Sequence, residues 1–361
     1  MAERYSGAGP HIRCEDSTRS MMLDVLIALA PAFLWGFYAF GLRAAAILAI
    51  SLLSCVGIEA ILLFIPGRGG SVSDLSALVT GAVLAAALPV ATPLYLVPLG
   101  AFFAMGLKAL FGGLGKNPVN PALFSLALLY FTFPEKLSRF TRPFDGLPSF
   151  SFTAEELAAA REPSPLQALL KGDLTQSITV SQLLTGSVAG GIASSSVLLL
   201  LAGLLYLLVR RVVSLHVPVS ILIGAFGTAL LLAKGSWSER AMLALLTLLS
   251  GSLIFLAVFG ATDPVTSPIT RKSKLLYGLL IGGLTVLLRS RTGALEGGVV
   301  AVLLVSLFSR PMDFLGRPRV YGKKRGLIRS LAALPAVWKH RFLRLKEKLE
   351  RFKTKKQDPT P

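Results

Sequence analysis

Apolar residues run in long, nearly unbroken stretches from about residue 21 to residue 309, without the alternation of a membrane β-strand. Such runs predict a polytopic all-α membrane protein and exclude a β-barrel. They divide into ten expected spans, at about 21–41, 43–65, 73–90, 94–112, 118–134, 193–209, 216–234, 239–260, 274–290 and 293–309. Two connections carry proline or glycine at membrane depth: "ALPVATPLYLVP" between the third and fourth spans, and "FGGLGKNPVNPALF" between the fourth and fifth. A broken helix is tolerated there where its freed backbone groups are buried in protein or line a cavity. Plain short turns are the competing reading for each.

The polar segments complete the plan. Residues 1–20 form a leader without the charged region, apolar core and small-residue cleavage site of a signal peptide, so the first run is expected to be retained. The domain plan is then 1–20 leader, 21–134 first five helices, 135–192 polar insert, 193–309 second five helices and 310–361 basic tail. Ten spans suggest two five-helix repeats in inverted orientation. With the amino terminus in the cytoplasm, the loops after even-numbered spans carry Lys116, Arg210, Arg211, Arg271 and Lys272, as the positive-inside rule expects. Both termini are then cytoplasmic, the insert faces outward, and the expected location is the cell's inner (cytoplasmic) membrane.

Composition sharpens this. Mean hydropathy is +0.67, outside the range of ordinary soluble domains. The formal net charge of +18 is largely a tail effect, since 15 Lys and Arg stand against three acids from Arg317 onward. Within the tail, Trp338, Phe342, Leu345, Leu349 and Phe352 recur at spacings of four and three among cationic residues. That pattern predicts an amphipathic helix on an anionic lipid bilayer or a partner subunit, not a nucleic-acid binder. The two cysteines and three histidines show no metal-ligand spacing.

Acidic residues near or inside spans carry a functional expectation. Asp24 and Glu59 have bland alternatives, as an interfacial charge and as a helix-end residue reaching the headgroups. Asp263 is more specific, standing before proline in "FGATDPVTSPIT" among hydroxyl residues that would face a polar cavity. "KNPVNPALF" and "TDPVTSPIT" resemble each other, each placing an amide or carboxylate before Pro-Val, then a small polar residue and a second proline. Candidate ion or cavity residues are therefore Asn117, Asn120, Thr262, Asp263, Thr266 and Asp24. The two segments lie four spans apart, which an inverted repeat of five does not explain.

Long motifs in one order carry a family resemblance: "PHIRCEDSTRSMMLDVLIALAPAF", "LVTGAVLAAALPVATPLYLVPLGAFFA", "FGGLGKNPVNPALF", "LLYLLVRRVVSLHVPVS" and "FGATDPVTSPITRKSKLLYGLLIGGLTVLLR". From about His11 to Gly322 the chain resembles the family that includes RnfD of the Rnf complex and NqrB of the sodium-translocating NADH:quinone oxidoreductase. The resemblance implies a ten-span subunit of a redox-driven Na+ or H+ pump, with membrane and iron–sulfur or flavin subunits as partners. It also implies FMN joined through its phosphate to a threonine of the outward loop, and leaves room for riboflavin or another non-covalent flavin. The matching place is Arg161-Glu162-Pro163-Ser164-Pro165-Leu166, where Ser164 replaces threonine and Pro163 replaces alanine. A phosphoester needs only a hydroxyl, which serine has. The flanking departures, and the missing acid after Gly186-Ser187, leave two alternatives: attachment kept on serine, or the loop kept and the flavin lost. Other functional classes are a flavin-free structural or ion-conducting subunit and a stand-alone solute transporter.

Overall fold

The computed structural model describes residues 17–63, 74–113, 115–141, 143–144, 161–162, 179–292 and 297–316, and these are mostly helical. Helix α1 (Thr18–Phe40) opens on a capping box in which the Ser17 hydroxyl accepts from the Ser20 amide at 3.1 Å. It ends at Gly41, whose φ of 72° permits the sharp turn into α2 (Leu42–Leu63). There follow α3 (Ser76–Ala87), α4 (Leu96–Leu110), α5 (Pro121–Thr132) and the short α6 (Pro134–Leu137). After the insert come α7 (Val180–Thr185), α8 (Val197–Val209), α9 (His216–Leu232), α10 (Trp237–Leu249) and α11 (Leu253–Phe255). A π turn, Leu256–Gly260, extends α11 and precedes α12 (Arg271–Thr292), α13 (Gly297–Leu307) and α14 (Ser309–Gly316).

Among the described residues, α1, α2 and α12 suffice by length and composition to cross a membrane, and α10 with the α11–π segment, bent by 62°, is long and apolar enough for a broken span or a re-entrant loop. The other apolar helices are shorter. The 12 residues of α3 rise only about 18 Å, against a hydrocarbon core of ~30 Å. Its expected span, 73–90, therefore continues as irregular chain. The cause is local, since the proline at 89 drives Leu88 to ψ 140° and ends the helix. The expected span 239–260 is also interrupted, at Ser250-Gly251-Ser252, where Gly251 takes a φ of 69°. The sequence gives little sign of that break, because a Leu-rich run with one glycine reads as continuous helix.

Helices α9 and α12 pack through small residues, and a side chain at Gly282 would collide with the Ile221 carbonyl. The end of the bundle where α1 begins is here the near end, and the opposite one the far end. At the far end, the backbone groups freed after α3 are satisfied by the chain before α8. The Ile192 amide donates to Leu88 O at 3.1 Å and the Ala193 amide to Ala86 O at 3.0 Å. The Arg43 guanidinium, buried in the first turn of α2, donates to Val90 O at 2.9 Å and Thr92 O at 3.1 Å. Gly191 is required here, since a Cβ would lie 2.9 Å from Ala87 O.

The base of the insert is tied to the same end. Strands β1 (Phe140–Thr141) and β2 (Arg161–Glu162) pair antiparallel, with Phe140 opposite Glu162. The Phe144 amide donates to Ala39 O at 2.8 Å, and its ring stands edge-on to Trp35 and Tyr38. Ser164 lies outside the described residues, as do residues 1–16 of the leader and the stretch of tail from Trp338 to Phe352.

Candidate functional site

At the near end the two proline motifs meet. Asn117, Asn120, Thr262 and Asp263 line one cavity, together with Lys108 and Ser76. With its mouth it holds about 800 Å³ of empty space. Its apolar wall includes Val25 of α1, Val79 and Val83 of α3, Leu207 of α8, and Val258 and Phe259 of the π turn.

Each polar residue reaches this place for a local reason. Asn120 caps α5, its side-chain oxygen accepting from the Ala122 amide at 3.0 Å while Pro121 opens the first turn. Its amide nitrogen donates to Gly260 O at 3.5 Å, bridging the first proline motif to the end of the π turn just before the second. Asn117 is 4% exposed, and its side-chain carbonyl finds no donor among the described residues. Thr262 returns its hydroxyl to Val258 O, one of the carbonyls released where the helix unwinds. Asp263 forms an Asx turn, accepting from the Val265 amide at 3.4 Å and the Thr266 hydroxyl at 3.2 Å. Burial pushes the Asp263 carboxyl above the usual range, against these two bonds, which pull it down.

The structure thus brings together Asn117, Asn120, Thr262 and Asp263. Thr266 does not line the cavity and serves to orient Asp263. Asp24 is also not a lining residue. Its Oδ1 and Oδ2 accept from Arg210 Nε, at 3.1 and 3.2 Å, and Tyr206 OH donates to Oδ1 at 2.9 Å, so it clasps the start of α1 to the end of α8. Glu59 does not reach the headgroups either. It is buried and paired with Lys108 of α4. Lys108 is not among the residues singled out from the sequence, yet a usable signal is there: a lone lysine within the apolar run "GAFFAMGLKALF".

This arrangement offers amide and carboxylate groups at one side of a largely apolar cleft. Such a site suits a planar, partly polar ligand or a partly hydrated ion.

Comparison with known proteins agrees. The model of the NQR2, RnfD, RnfE family matches residues 6–322. The chain is 35% identical over 329 residues to RnfD of the ion-translocating oxidoreductase complex of Pseudomonas aeruginosa, covering 88% of this chain and 95% of that protein. It is 32% identical to the protein of the same name from Vibrio cholerae, with 88% and 99% covered. It is 33% identical to the corresponding protein of the Na(+)-translocating ferredoxin:NAD(+) oxidoreductase complex of Acetobacterium woodii, with 87% and 94% covered. With the family model spanning most of its length, the chain belongs to the NQR2, RnfD, RnfE family.

Proposed function

We infer that this chain, a multi-pass membrane subunit of an Rnf-type ion-translocating complex, holds a non-covalent flavin in the near-end cavity and helps couple electron transfer to cation movement. The observation that carries this reading is the convergence of the two proline motifs, with an Asn117 carbonyl buried and unpaired among the described residues. A flavin's uracil-like edge offers an N–H flanked by carbonyls, complementary to amide side chains such as Asn117 and Asn120. The aliphatic wall suits its dimethylbenzene end. When bound, the flavin supplies the electron chemistry. The residues here bind and orient it, narrow the access of water and place the Asp263 carboxylate beside it.

Ser164 stands where the family's flavin-bearing threonine is expected, and two alternatives remain for its hydroxyl: attachment of a second flavin, FMN, kept on serine, or the loop kept and that flavin lost. With the amino terminus on the cytoplasmic side of the inner membrane, the cavity faces the cytoplasm and the insert faces outward. Flavin and iron–sulfur subunits are the proposed electron partners.

The test is flavin content of the purified complex. Asn117→Ala should weaken flavin retention by roughly 2–10-fold, the worth of one hydrogen bond, while the complex still assembles. Unchanged acid-released flavin in both Asn117→Ala and Asp263→Asn would overturn the cavity assignment. Intact mass of the subunit addresses Ser164 separately. An FMN-phosphate increment lost in Ser164→Ala supports attachment, and its absence from the native chain rejects it.

A further inference from the structure

A second charged group lies beside the cavity, and the flavin reading makes no use of it. The Lys108 ammonium donates to Glu59 Oε1 on α2 and to Ser76 Oγ at the start of α3. The Ser76 hydroxyl in turn donates to Asp74 Oδ1 at 2.6 Å, and its amide donates to the same oxygen at 3.0 Å. Lys108 is 5% exposed and Glu59 9%, and Cys55, Ala77, Ala101 and Met105 form an apolar cluster next to them.

Three features set this group apart from a structural ion pair. The ammonium bonds one carboxylate, Glu59, directly and is linked to a second, Asp74, through the Ser76 hydroxyl, so two acidic side chains stand around a single cation. The second Glu59 oxygen, Oε2, is buried and accepts from nothing among the described residues. Lys108 also lines the cavity, so its flexible four-carbon stem has open space to move into, on the side where Asn117 and Asp263 lie. A buried pair is poor evidence of stabilisation, because the desolvation of both charges offsets their attraction. In a membrane, such groups mark ion pathways.

We propose that Glu59, Ser76 and Asp74 form a binding site for a monovalent alkali cation, in which the Lys108 ammonium is a tethered competitor. With the ammonium in place the site holds one positive charge. When Lys108 swings into the cavity, the freed oxygens of Glu59 and Ser76, with Asp74 behind them, accept one alkali ion in its stead. The donors are hard oxygens, which suit alkali and not soft metals. The charge of one ammonium matches a monovalent ion, whereas a divalent ion would add a charge that the resting site does not carry. Lys108 is here a gating residue, and its swing needs the part of the cavity that it lines to be open.

The experiment uses the assembled, detergent-purified complex. Sodium chloride replaces choline chloride at constant ionic strength, and sodium binding is followed by sodium-23 NMR line broadening. Parallel series with lithium and potassium show selectivity. Lys108→Met removes the competitor and should lower half-saturating sodium about tenfold, because the site no longer pays a conformational penalty before binding. Glu59→Gln should raise it about tenfold or more, the usual cost of disturbing a metal site. If either single variant fails to assemble, Lys108→Met/Glu59→Gln removes both members of the pair and should assemble with sodium binding weakened relative to the wild type. Half-saturating sodium within about twofold of the wild type in the variants that assemble would overturn the proposal, as would a wild-type complex that shows no sodium-specific binding and takes up protons only.

Discussion

The chain is broken at both ends of the bundle, and the two ends treat their breaks in opposite ways. At the far end, the groups freed after α3 are taken up by the amides of Ile192 and Ala193 and by Arg43. At the near end, the breaks before α5 and after the π turn leave Asn117 with an unpaired carbonyl, among the described residues, beside a cavity. The far-end break, whose carbonyls at Ala86, Leu88, Val90 and Thr92 find protein donors although the Thr92 hydroxyl stays unpaired among the described residues, is a packing device. The near-end break leaves a polar group unpaired, among the described residues, beside open space, where a ligand could pair with it. The proline content of the two segments does not tell them apart.

That comparison can be broken most forcefully at Arg43. Arg43→Met strips donors from two buried carbonyls, each worth about 1–3 kcal/mol when left unsatisfied. The expected outcome is loss of folded, assembled subunit, seen as lost yield on size-exclusion chromatography. Normal assembly would mean that the far-end seam is not what holds α3 and the chain before α8 together. A milder disturbance is Gly191→Val, where the new side chain meets the Ala86 and Ala87 carbonyls. Overpacking of this kind costs about 1–3 kcal/mol and should lower the melting temperature of the purified complex, with flavin per folded complex unchanged.

The near end should respond in the reverse sense. Asn117→Ala should leave the melting temperature of the flavin-stripped complex within the equivalent of about 0.5–1 kcal/mol, because no hydrogen bond to its carbonyl from the described residues is lost, while flavin retention falls. A large drop in melting temperature would show that Asn117 is structural and erase the contrast between the ends. The smallest effect is expected at Asp24→Asn. The side chain of its partner Arg210 is 52% exposed, so solvent screening keeps the pair to about 0–1 kcal/mol. Unchanged flavin content in that variant would agree with Asp24 lying outside the cavity.

How much of this is legible in the sequence varies by residue. Asn120 and Asp263 announce themselves because proline follows each, and the short polar side chain before such a proline caps a helix or closes a turn. The resemblance between "KNPVNP" and "TDPVTSP" flags two segments that share one cavity, although their four-span separation argues against a simple inverted pairing. Glu59 is visible as an acid in an apolar run, but its partner is not. Lys108 lies 49 residues away, and nothing local to either residue specifies that α2 and α4 pass side by side there. Asp24 misleads for the same reason, since the cation that occupies it, Arg210, is supplied 186 residues later.

The sequence by itself determined the all-helical membrane architecture, the places where proline stops a helix, and the family, because hydrophobic runs, caps and long motifs are properties of neighbouring residues. Only the tertiary structure decided which breaks are sealed and which are open, which charges are paired, and that two distant motifs share one cavity. Those outcomes depend on which helices lie in contact. Inside a membrane, every freed backbone or charged group must find its partner among whatever segments packing brings within reach.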